Sequence, residues 1–101
     1  MPITRRSGMP RDTAELIAIQ VLTHISGDPE KMQRFLAVTG IDVDQLRESA
    51  AEPEFLAGVL DHVLADEALL MAVAAETGVE PPEFERARAV LAGHRWEPDL
   101  P

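Results

Sequence analysis

Eight consecutive residues, 68–75, read Ala-Leu-Leu-Met-Ala-Val-Ala-Ala, with Asp66 and Glu67 before them and Glu76 after. As a helix this is about two turns without a polar position. A surface helix of a globular protein carries an apolar stripe and a solvated back, so this segment must be covered on every side or must present part of itself to a partner. For a chain of 101 residues, which has room for one core, the economical expectation is a central helix wrapped by the others. The alternative makes Leu69, Leu70, Met71 and Val73 an interface.

The rest of the chain reads as further helices separated by short breaks. Helix one is expected from a cap at Asp12 or Thr13 to Ser26, with Ala14, Ile17, Ala18, Val21, Leu22 and Ile25 on its buried stripe, Leu16 and Ile19 widening it, and Gly27 ending it. Asp28-Pro29-Glu30 is a strong start for helix two: a capping carboxylate, a proline at the first helical position and an acid in the first turn. Met32, Phe35, Leu36 and Val38 or Thr39 would supply its buried side, and Gly40 its left-handed end, with Ile41 packing back.

Asp42 is expected to cap a short third helix bearing Val43, Leu46 and Ala50. Helix four opens at Glu52-Pro53 and carries Phe55, Leu56, Val59, Leu60, Val63 and Leu64. Asp66 is the expected cap of helix five, although the periodicity also allows one continuous helix through Ala65. Gly78 ends it, and Glu80-Pro81-Pro82 breaks the chain before a sixth helix with Phe84, Ala87, Val90 and Leu91 inward. No stretch alternates long enough to argue a strand. The expected fold is therefore all α: a compact six-helix bundle with helix five central, a single domain over 12–93, a mobile N-terminal arm over 1–11, and a tail over 94–101 that frays or folds back through Trp96.

Sliding the chain along itself by 38 residues superposes Val21 on Val59, Leu22 on Leu60, His24 on His62, Asp28 on Asp66, Thr39 on Thr77 and Gly40 on Gly78. This suggests two three-helix repeats. It also isolates a difference, since helix two has Glu30, Lys31, Gln33 and Arg34 where helix five has Ala68, Leu69, Met71 and Ala72. One copy kept a wet face and the other lost it.

Charge narrows the partners. The net charge is −9, and residues 42–85 hold twelve carboxylates against one cation, Arg47. Phosphate neutralisation by Lys and Arg supplies most nonspecific affinity for nucleic acid, so this stretch would repel DNA or RNA, whereas a basic protein partner is favoured. A helix-turn-helix reading of helices two and three fails for the same reason, with Asp44 and Glu48 set against Arg47. No apolar run approaches the roughly 20 residues that span a bilayer, and the arginines at 5, 6 and 11 precede no apolar leader segment. With no cysteine, there is no disulfide framework and no thiolate metal site. The expectation is a cytoplasmic protein without nucleic-acid or membrane partners.

The residues that could carry chemistry are the repeated pairs His24 with Asp28 and His62 with Asp66. Each is spaced by four, so an imidazole and a carboxylate could share a proton or a cation across a helix end. The simpler reading is structural: a histidine in a last turn favours the helix dipole and can bond the next helix's capping aspartate. Zinc would need a third ligand from His94 or scattered carboxylates, and no His-Glu-x-x-His pattern is present. Nor is there a serine elbow or a glycine-rich phosphate cradle, and Lys31 is the only lysine. No cofactor is expected.

From Asp28-Pro29-Glu30 through 35–40 (Phe-Leu-Ala-Val-Thr-Gly), Leu46-Arg47, 55–61 (Phe-Leu-Ala-Gly-Val-Leu-Asp) and 66–70 (Asp-Glu-Ala-Leu-Leu), the chain resembles a small bacterial family catalogued as domain of unknown function 3572. The resemblance covers most of the chain and implies a cytoplasmic, all-helical protein. It transfers no catalytic residue. The expected function is a noncatalytic interaction module that engages a basic protein partner, or a second copy as a homodimer, through helix five or the acidic stretch. A small metal-dependent or acid-base enzyme built on the two His/Asp pairs is the alternative, and a nucleic-acid regulator comes third.

Overall fold

In a computed structural model the chain is described over residues 9–95. Most of the expected arm, and the tail with Trp96, lie outside the described residues. Six helices follow one another: α1 (Arg11–Ser26), α2 (Pro29–Thr39), α3 (Val43–Ser49), α4 (Pro53–Leu64), α5 (Glu67–Thr77) and α6 (Pro81–Arg95). Among the described residues there is no strand, so the chain is an all-α bundle as its periodicity implies.

The breaks are made by the residues expected to make them. Asp28 accepts from the backbone N–H of Glu30 and Lys31, Asp66 from that of Leu69, and Asp42 forms a capping box with Gln45. Asp66 and the turn before it settle α4 and α5 as two helices. Gly40 and Gly78 adopt φ of 76° and 80°, the left-handed conformation that a Cβ disfavours, and close α2 and α5. α1 differs from expectation. It begins at Arg11 behind Pro10, whose carbonyl accepts from Ala14 N–H, so Asp12 and Thr13 lie inside the first turn without capping it. α6 likewise continues past Gly93 to Arg95.

The core is built by α1, α4 and α6, which pack most closely on one another. Ala14, Ile17, Ala18, Val21 and Ile25 of α1 meet Leu56, Val59, Leu60 and Val63 of α4 and Phe84, Ala87 and Leu91 of α6, all buried. Gly58 and Asp61 stay off that face of α4 as expected, and Asp61 forms a close ion pair with Arg88 that ties α4 to α6.

Helix five is not central. It contributes only Leu69 and Val73 to the core and lies at the edge against α4, with lighter contact to α1 and α6. The physical reason is the apolar stripe: α4 turns Leu56, Val59, Leu60 and Val63 onto α1 and α6 and fills the centre, which leaves α5 to seal one side with Leu69 and Val73. Other positions are also wetter than expected. Leu16 and Ile19 of α1 are exposed, as are Val38 and Val43, which leaves Phe35 as the sole fully buried side chain of α2 and none in α3.

At the 38-residue offset, local geometry recurs in α2 and α5. Each has 11 residues, an aspartate cap and a left-handed glycine. In each, the last threonine donates to the carbonyl four residues back, Thr39 to Phe35 and Thr77 to Val73, both at 2.8 Å. The turns that precede them recur as well, with Asp28 N–H donating to the Ile25 carbonyl and Asp66 N–H to that of Val63, but α3 and α6 differ: α3 is 7 residues and buries nothing, whereas α6 is 15 and supplies Phe84, Ala87 and Leu91 to the core.

Candidate functional site

Three helices meet at His24, in the last turn of α1. Its Nδ1 is in close hydrogen-bonded contact with the Glu76 carboxylate of α5, and its Nε2 lies 2.9 Å from Lys31 Nζ of α2. A lysine ammonium has donors and no acceptor, so Nε2 must accept, and the ring proton then sits on Nδ1 and donates to Glu76. The side chain of His24 is 13% exposed and that of Glu76 61%. The carboxylate therefore orients the ring from the solvent side. Beside them is an open depression of about 560 Å³ whose lining includes Gln20, Thr23, Asp28 and Lys31.

His62 lies elsewhere, in α4, edge-on to Phe35. Burial pushes its pKa below the usual histidine value; Asp66 opposes the shift and Arg34 adds to it. A second depression, about 240 Å³, opens between α2 and α5 and is lined by Lys31, Arg34, His62, Asp66, Leu69 and Ala72 among others.

The two expected pairs are thus distributed rather than joined. His24 and Asp28 line one depression, His62 and Asp66 the other, and Lys31 borders both. Asp28 and Asp66 spend their carboxylates on helix caps, and the carboxylate that His24 uses is Glu76. Among the described residues no three histidine or carboxylate side chains gather to hold a metal ion. Glu76 and Lys31 were not among the sequence candidates. Glu76 stands 52 residues from His24, a separation at which periodicity carries no signal; the one available hint was that Lys31 is the only lysine.

The four interface candidates also divide. Leu69 and Val73 face the core and Leu70 is half-buried, while Met71 is 52% exposed. Ala68 and Ala75 are exposed with Met71, at the i, i+3, i+7 spacing of one helix face. The corresponding row on α2 is Glu30, Gln33 and Ala37, also exposed. Leu70 and Leu64 look into a further depression of about 420 Å³ walled by Asp61, Glu85 and Arg88. Glu67 and Glu76 stand in solvent at the two ends of α5. Among the described residues no helix is long and apolar enough to cross a membrane.

The family model described as "Protein of unknown function (DUF3572)" matches residues 11–94, and the chain belongs to that family. No curated protein and no solved structure matches it.

Proposed function

We propose that this member of the DUF3572 family is a noncatalytic protein-interaction module that receives a basic, amphipathic partner segment along the outer face of α5. The observation that carries the reading is the row Ala68, Met71 and Ala75, apolar and exposed on a helix at the edge of the fold. Leu69 and Val73 already satisfy the inward side of α5, so packing within the chain does not account for a methionine on the outside. The alanines beside it allow a partner backbone to approach closely, and an unbranched thioether adapts to varied surfaces.

Charge selects the partner. Glu67 and Glu76 frame the apolar row within a stretch that carries twelve carboxylates and one cation. Lysines or arginines flanking an apolar stripe would meet them with complementary sign. A second copy brings the same −9 charge and is repelled. The acid-base reading has less support, because its two histidines open on separate depressions and its two aspartates cap helices.

A photo-crosslinking residue placed at position 71 in the source cell tests this. The expected result is a covalent adduct to one protein through a basic amphipathic segment, lost in Ala75→Glu and weakened by high salt. An adduct to a second copy of this chain, or none at position 71, contradicts it.

A further inference from the structure

We infer that Lys31 is a modification site, an amine set up to take an acyl group from a thioester, with His24 as the base and Glu76 as the residue that positions it. It does not rest on docking at Met71, although Glu76 stands beside both features. The chain holds twice as many acidic as basic residues, 18 to 9, yet among the described residues its single lysine forms no ion pair with a carboxylate. Its one side-chain partner among the described residues is Nε2 of His24, 2.9 Å away. The nearest acids are engaged: Asp28 caps the backbone of Lys31 itself, and Glu76 accepts from Nδ1 of the same imidazole. A proton acceptor is thus aimed at the amine and held in one tautomer by a carboxylate from another helix, which is the arrangement that activates a weak nucleophile. The depression of about 560 Å³ beside it leaves room for a donor.

The chemistry balances without an oxidant or a metal. His24 Nε2 takes a proton from the ammonium, and the nitrogen lone pair bonds to the thioester carbonyl carbon. Collapse of the tetrahedral adduct breaks the carbon–sulfur bond, the leaving thiolate takes a second proton from nitrogen, and His24 passes the first to water. The products are an amide at Lys31, a free thiol and one released proton. The modification is stoichiometric and involves no turnover. The amide N–H still donates to His24, so the tie between α1 and α2 survives while the positive charge bordering both depressions is lost.

The test incubates the folded chain with S-acetyl-N-acetylcysteamine and an equal concentration of Nα-acetyl-lysine amide, and reads both products by mass spectrometry. Lys31 is expected to acetylate at least ~10-fold faster than the free amine, His24→Gln to remove that excess, and Glu76→Gln to lower it and move the pH–rate profile of Lys31. Far-UV circular dichroism checks that the variants fold. If His24→Gln does not, Glu76→Gln, altered at an exposed carboxylate, carries the test. A wild-type Lys31 no faster than the free amine, or a rate unchanged in folded variants, overturns the inference and leaves His24 as a tie between helices.

Discussion

Phe35 of α2 meets His62 of α4 edge to face, ring centroids 5.1 Å apart and planes at 85°. The contact joins the one fully buried side chain of α2 to a histidine whose charged form the fold disfavours. Phe35 also meets Phe55 edge-on at 6.3 Å. Phe35 is thus the main anchor of α2, with the partly buried Met32 and Leu36 packing beside it.

Stability should fall as pH drops below about 6.5, the histidine value the unfolded chain regains. Above that pH neither state protonates His62. Below it the unfolded chain binds the proton first, because burial has lowered the folded pKa, so stability declines down to the folded pKa and then levels. Urea midpoints measured across this window should decline in the wild type and decline less in His62→Gln. Identical profiles would refute the role of His62.

Phe35→Ala should destabilise the fold by about 3–5 kcal/mol, the usual cost of deleting a buried phenyl ring. Leu36→Ala, beside it but half-buried, should cost clearly less. Chemical denaturation decides. Equal losses would mean that α2 is not held by the one ring.

Two glycines should respond to alanine with opposite signs. Gly58 lies inside α4 with nothing within 4 Å of an added Cβ, so Gly58→Ala should stabilise by about 0.5–1 kcal/mol. Gly78 has φ of 80°, and Gly78→Ala should destabilise by about 1–2 kcal/mol. Thermal melts of the two variants compare the signs directly.

On α5, two lysines two positions apart should behave differently. Val73 is fully buried and Met71 half in solvent. Val73→Lys places an unpaired charge in the core and should unfold the protein or cost more than about 3 kcal/mol, whereas Met71→Lys should stay within about 0.5 kcal/mol of wild type. Similar melting temperatures for the pair would mean that α5 is oriented differently.

How far the chain could be read in advance follows from where each determinant lies. Asp28, Asp42 and Asp66 as caps and Gly40 and Gly78 as ends are local chemistry, complete within four or five residues, and they placed most helix boundaries. The start of α1 differs because Pro10 occupies the capping position without a side-chain hydrogen bond, while Asp12 has the chemistry of a cap and lies one residue inside the helix. The position of α5 was not legible. Residues 68–75 are apolar on every side, so composition names no inward face, and what covers Val73 but not Met71 is decided by α1, α4 and α6. The same limit hid Glu76 from His24. The spacing of four that suggested Asp28 was real, but the backbone N–H groups of α2 claimed that carboxylate.

If the outer face of α5 is open in this chain and closed by a partner, oxidative footprinting of Met71 shows it most directly. Met71 should oxidise readily in the purified protein, at least as fast as the half-buried Met32, and should be protected several-fold in native cell extract, with protection lost at high salt. A Met71 that resists oxidation in the purified protein, or that oxidises equally in both, would contradict the account.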